Sequence, residues 1–208
     1  MRPPPHDPGV ANTGNDGMLA SMIAILESPD IRERTLPISV ETYHWMIEHD
    51  MVPRRAELIR GIIVEKMSKS SLHEFLVKRL YDRLLRALGD GWHLRKEGPL
   101  TLRDSEPEPD ISVVRGAEED FRHCHPRTAA LVVEVAVSNE TSDREMIKAY
   151  AEAGVDESWL ILARKREVEC YSRPAAGAYQ QMHRAGIEDT LSSSALPGIS
   201  ITVASLFQ

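Results

Sequence analysis

Two carboxylates in this chain are spaced to do chemistry together. Asp110 follows Pro109 at the head of "DISVV", and Glu134 lies 24 residues later, inside "LVVEVAV". Leu131 to Val137 is a nearly continuous apolar, β-branched run, the pattern of a strand buried on both faces. A carboxylate in its middle costs on the order of several kcal/mol unless something compensates it. Three compensations are open: a hard cation shared with Asp110 from a neighbouring strand, an internal arginine, or protonation through burial. A shared cation would also lower the pKa of a bound water and stabilise negative charge developing on a phosphate. The backbone carbonyl of Val135 would then be a further ligand.

Such a pair has to be presented by adjacent strands. "EPEPDISVV" predicts a strand from about Asp110, "AALVVEVAV" a central strand and "ESWLIL" the next. Between the last two, Ser142 and Glu145 have the spacing of a capping box for a helix running to Gly154. Residues 130 to 162 therefore read as a strand–helix–strand unit. Upstream, "AELIRGIIVEK" reads as two short strands turning at Arg60-Gly61. Leu72, Leu76, Leu80, Leu84 and Leu88 recur every four residues, with Gly89 as a stop, which predicts a long amphipathic helix. "SVETYHWMIEHD" has Ser39 as an N-cap and Glu41 in its first turn. "GWHLRKEGPLTLR" predicts a strand, a turn at Gly98-Pro99 and a second strand. "REVECYS", "AYQQMHR" and "ISITV" predict short antiparallel strands at the end. The class is α/β or α+β, a mixed central sheet flanked by helices.

The chain has 208 residues, enough for one domain with a full core and an extended tail. Residues 1–17, rich in Pro, Gly and Asn, predict a disordered tail, and 18–35 a helical extension that includes "MLASMIAILES". No apolar run is long enough to span a membrane, and the opening lacks a secretory pattern. Two cysteines, Cys124 and Cys170, fit reduced thiols in a cytoplasm. The net charge of −7 argues against a chain coated with nucleic-acid-binding surface. From Arg54 to Arg103, however, twelve Lys and Arg face six Asp and Glu, a local +6. That segment is either a place to meet a phosphate backbone or a solvated helix face. "HCHP" at His123–Pro126 has the wrong spacing for one tetrahedral zinc site and reads as a loop.

"AELIRGIIVEKMSKSSLHEFLVKRL", "EPEPDISVV", "LVVEVAVSNETSDRE", "YAEAGVDESWLIL", "VECYSRPAAGAYQ" and "TLSSSALPGISITVASLF" resemble, in order and spacing, the restriction endonucleases of the Uma-two type. That group is a branch of the PD-(D/E)XK nuclease superfamily. The resemblance covers about Leu36 to Phe207 and implies a nuclease-like domain over 36–208 with a restriction-endonuclease-like sheet. It also implies Mg2+ or Mn2+, hydrolysis of DNA phosphodiesters, and a homodimer. Under it, Asp110 and Glu134 match the metal-binding carboxylates, and Glu57 matches the acidic residue of the first motif. His73 matches a histidine at the start of the long helix. Taken alone, Glu57 reads first as a solvent-facing strand residue, and His73 still more so as an exposed first-turn residue. Lys69, His73, Lys96 and Arg103 are the candidates for DNA contact.

The sequence departs from the family pattern at one position. A lysine is expected four residues before the tyrosine of "YAEAG", which is Tyr150 here, and Met146 stands in that place. Methionine is neither acid, base nor cation. Lys148 is a candidate replacement, but a helix turns about 100° per residue, so it points roughly 200° away from Met146. It also belongs to a polar stripe with Glu145 and Glu152, the pattern of exposed ion pairing. Lys96, Arg103 and Arg144 are the other candidate cations. Two readings follow: a metal-dependent DNA endonuclease, impaired at Met146, or a degenerate nuclease fold that binds nucleic acid or itself without cutting. A third is a core that holds no ligand, with Glu134 simply protonated.

Overall fold

The computed structural model describes residues 28–208 except Asn139. The expected tail at 1–17 and nearly all of "MLASMIAILES" lie outside the described residues. The chain divides into two units between Pro37 and Ile38. In the first, Pro29–Arg34 forms a short helix, α1.

The second unit opens with helix α2, Val40–Glu48, where the Ser39 hydroxyl accepts from the Thr42 N–H at 3.1 Å. Strands β1 (Ala56–Ile59) and β2 (Ile62–Glu65) pair antiparallel as a separate hairpin. Its turn residues Arg60 and Gly61 both have positive φ, 52° and 74°, the backbone of a type I′ turn. Helix α3, Ser71–Ala87, buries Leu76, Leu80 and Leu84 fully, as their spacing predicts. Leu72 stays exposed. The helix stops because Leu88 turns extended (φ −70°, ψ 132°), not through a left-handed Gly89.

The main sheet has six strands in the order β3-β4-β5-β6-β7-β8. They are β3 (Trp92–Lys96), β4 (Ile111–Arg115), β5 (Leu131–Ala136), β6 (Glu157–Leu162), β7 (Glu167–Ala175) and β8 (Ala178–Ala185). Only β5 and β6 run parallel; the other neighbours are antiparallel. The parallel pair is the one bridged by helix α4, Glu140–Glu152, as a parallel connection requires. A second hairpin, β9 (Thr190–Ser192) with β10 (Ser200–Thr202), holds "ISITV" apart from the main sheet.

Alternation along the buried strands splits the core into two layers. Leu131, Val133 and Val135 face α3 and the β9–β10 hairpin, while Val132, Ala136, Leu160 and Leu162 face α4. Both faces of β5 and β6 are thus covered, which explains why both are mostly apolar, with Glu134 as the exception inside β5.

Two expectations are corrected. No strand follows Gly98-Pro99: the N–H groups of Leu100, Thr101 and Leu102 donate to the carbonyls of Pro107, Pro126 and Ser105, all at 2.9 Å, so loops take the bonds a ladder would use. Helix α4 begins at Glu140, leaving Ser142 inside its first turn and unable to cap it. Its buried side is Ile147, Ala149, Tyr150 and Ala151, with Met146 and Ala153 only partly covered. Its C-terminus does use Gly154 at φ 71°, with the Val155 N–H reaching the Tyr150 carbonyl at 3.0 Å. Cys124 is exposed, Cys170 is buried, and both are free thiols. Among the described residues no helix is long and apolar enough to cross a membrane.

Candidate active site

The antiparallel β4–β5 register pairs Ser112 with Val132 and Ile111 with Val133. One step further, Asp110 falls opposite Glu134, on the face that α4 covers. Two reciprocal backbone bonds lock them. The Val135 N–H donates to Asp110 Oδ2 at 2.9 Å, and the Asp110 N–H reaches Glu134 Oε2 at 3.4 Å. The β4 ladder begins only at Ile111, so beyond it the Val135 N–H takes a side-chain carboxylate as its acceptor.

Asp110 accepts two further bonds from the segment that opens α3. His73 donates from Nε2 to Oδ2 at 2.8 Å; a carboxylate only accepts, which fixes the proton on that nitrogen. Lys69 Nζ donates to Oδ1 at 2.9 Å. The Ser70 hydroxyl caps α3 by accepting the His73 N–H at 3.2 Å, which aims the imidazole at the strand. His73 Nδ1 is buried without a hydrogen-bond partner among the described residues. Lys69 is held from its other side by Glu97 at 3.1 Å. Glu97 leaves β3 in a left-handed conformation, φ 52°, a strained backbone for a residue with a Cβ.

Glu134 has no cationic partner among the described residues. Tyr150, from the buried side of α4, donates its hydroxyl to Oε1 at 2.6 Å. Glu57, on β1, accepts the Glu108 N–H at 3.0 Å. These groups line one cleft of about 480 Å³, together with Asp143, Ser142 and Met146 from α4 and Val135 from β5.

The carboxylates divide electrostatically. Burial works against ionising Asp110, but the His73 bond, with Lys69 beyond it, outweighs that and holds its carboxyl below the usual range. Burial, then the charge on Asp110, pushes Glu134 well up. Burial, then Asp110, raises Asp143 to about 6. Burial also raises Glu57, against the Glu108 bond. Burial and the neighbouring Glu134 push the Tyr150 hydroxyl up, so it stays a donor.

Asp110, Glu134, Glu57, His73, Lys69 and Val135 are thus brought to one cleft. Lys148, expected in a catalytic role, is not: it is exposed and pairs with Glu145 at 2.6 Å, on the face turned from the sheet. Arg103 is exposed and meets Asp104 instead. Lys96 sits beside the cleft, 3.4 Å from Glu74 and 3.5 Å from Glu97. Arg144 is committed to Glu169 and Glu140. Asp143 and the Tyr150 hydroxyl are the groups that sequence reasoning missed. Asp143, Met146 and Tyr150 fall at i, i+3 and i+7, one helical face, so an acid on the sheet side of α4 was the available signal. Among the described residues no three His, Cys, Asp or Glu side chains are already gathered as a metal cluster.

The family model described as "Putative restriction endonuclease", named Uma2, matches residues 40–204. In fold, the chain is similar to a crystal structure described as a "putative nuclease belonging to DUF820" from Anabaena variabilis. The TM-score is 0.70 at 18% identity, over 82% of this chain and 98% of that one. The comparison with curated proteins found no match.

Proposed function

We propose, from the premise that the chain belongs to the Uma2 family, that it is a divalent-metal-dependent nuclease hydrolysing DNA phosphodiesters. The observation that carries the reading is the meeting of Asp110 and Glu134 at the floor of one cleft, fastened by reciprocal backbone bonds. The donor set fits a hard cation. It is made of oxygens, and Glu134 is a half-buried carboxylate beside another one, without a cationic partner among the described residues. Asp110, Glu134 and the Val135 carbonyl would hold Mg2+ or Mn2+, which when bound would activate water and offset charge on the phosphate.

The remaining roles belong to the chain. His73 and the Val135 N–H fix Asp110 through Oδ2, leaving Oδ1 toward the cleft. Tyr150 orients Glu134 through Oε1. Asp143, with a carboxyl raised to about 6, is able to hold and release a proton near neutrality. Glu57 borders the cleft from the β1–β2 hairpin. Lys69 in the cleft lining and Lys96 beside it, next to Glu97, supply positive charge where a DNA backbone would approach, and His73 offers a contact there; Arg103 and Lys148 are left out because they pair away from the cleft. A homodimer and a reducing cytoplasmic compartment complete the proposal.

A second reading, a nuclease fold that binds nucleic acid without cutting, is favoured by Met146, which puts an apolar side chain on the cleft wall. Nicking of supercoiled plasmid with Mg2+ or Mn2+ separates the two. Wild type should nick, and Asp110→Ala and Glu134→Ala should each lower the rate at least about a hundredfold, as loss of a metal ligand does. Nicking that persists in both variants overturns the assignment. Salt-sensitive DNA binding without any nicking favours the second reading.

A further inference from the structure

The cleft has to accept an anion, yet its chemistry is mostly acidic. Asp110, Glu134, Asp143 and Glu57 all line it. A phosphodiester arriving there needs a cationic side chain as well as a metal, and the α4 wall offers none. That wall presents Ser142, Asp143, Glu145, Met146 and Tyr150. Arg144 is tied to a fully buried Glu169, and Lys148 pairs outward with Glu145.

Elsewhere in the lining, the segment from β2 to α3 carries Lys66 and Lys69. Lys66 is paired with Glu108. Lys69 lies in the irregular segment between β2 and α3, so neither a ladder nor a helix fixes its backbone. Its ammonium bridges Asp110 Oδ1 at 2.9 Å and Glu97 Oε1 at 3.1 Å. The two oxygens of Asp110 differ in what they carry. Oδ2 accepts from His73 and from the Val135 N–H, whereas Oδ1 accepts from Lys69. A divalent cation reaching Asp110 has Oδ1 as the oxygen with fewer partners, and it meets Lys69 there. Two cations cannot share that oxygen closely, because their repulsion opposes it.

Resting on the nuclease reading, we propose that Lys69 is the cleft's mobile cation. It neutralises Asp110 in the resting protein, is displaced from Oδ1 when a divalent metal binds, and then contacts the scissile phosphate. The displacement is an exchange of electrostatic partners and makes or breaks no covalent bond. The charge that the α4 wall lacks at Met146 thereby arrives from the β2–α3 segment.

The exchange makes two readouts move in opposite directions, which a merely structural lysine would not do. The variants are Lys69→Met and Lys69→Gln, the second keeping a hydrogen-bond donor without charge. The measurements are Mn2+ titration by calorimetry on the full chain and plasmid nicking at saturating Mn2+. In both variants Mn2+ should bind at least about fivefold tighter, because a competing charge has gone. Nicking should fall at least about a hundredfold, and Met146→Lys added to Lys69→Met should restore a measurable part of it. Unchanged or weaker Mn2+ binding in both variants, or undiminished nicking, overturns the role of Lys69 while leaving the nuclease reading in place. A wild-type chain that neither binds Mn2+ nor nicks plasmid overturns both together, which is a distinguishable result.

Discussion

At the scale of single residues, the account turns on how one environment separates like groups. Asp110 accepts from His73, Lys69 and a backbone N–H and stays ionised; Glu134, a strand away, has a tyrosine hydroxyl and is driven toward its neutral form. Asp143 is a cleaner probe of the same field, with a carboxyl raised to about 6. Its folded pKa is above the unfolded value, so the native chain binds the extra proton between about pH 4 and 6. Stability from this group is therefore lost as pH rises through that window. Asp143→Asn should gain on wild type, in metal-free urea unfolding, as pH goes from about 4 to 7; a difference that does not change with pH would contradict the burial and repulsion described. The Asp110–Glu134 pair was legible in the sequence because a carboxylate interrupting a buried apolar run is conspicuous. Lys69 as the partner of Asp110 was not, since an irregular segment has no period from which a direction can be read. Nor was the Tyr150 hydroxyl, because an aromatic on an apolar stripe looks like packing.

The elements explain how those side chains come to be rigid. Helix α3 aims His73 and contributes a core face, and the alternation of exposed and buried positions along it is testable. Leu80→Ala should cost about 3 kcal/mol, as a fully buried leucine does, whereas Leu85→Ala, with 57% of Leu85 exposed, should cost under about 0.5 kcal/mol. Equal costs in urea unfolding would mean that the helix faces are misassigned. Helix α4 is bolted to the sheet by Glu169, which accepts from Arg144, Tyr171 and Arg184. Burial opposes ionisation there, but those partners outweigh it and lower its carboxyl to about 2. Glu169→Gln should destabilise on the order of 3 kcal/mol, because it leaves Arg144 facing a neutral group; a loss under about 0.5 kcal/mol would show that the cluster is not holding the helix. The central strands and the long helix were legible from periodicity. The starts and stops of helices were read less well, since Leu88 ends α3 through its own backbone and α4 starts two residues before Ser142. The segment after Gly98-Pro99 has strand-like residues, but its N–H groups find loop carbonyls, a tertiary choice that no local pattern reveals.

At the scale of the whole molecule, part of the basic stretch between Arg54 and Arg103 is already paired with carboxylates. Arg60 pairs with Glu152, Lys66 with Glu108, Lys69 with Asp110 and Lys78 with Asp82, so a charge count along the sequence overstated the free positive surface. What the fold builds instead is one acidic cleft at the junction of the β1–β2 hairpin, the start of α3, the β4–β5 pair and α4, with its cation supplied by a short irregular segment. That arrangement makes sense if a divalent metal completes it, and calorimetric titration of Mn2+ into the metal-free chain asks this without assuming any substrate. The account expects saturable binding near one ion per chain, abolished by Asp110→Ala and by Glu134→Ala in variants that remain folded. Heat changes that match buffer alone, or binding of equal strength in both variants, would contradict it.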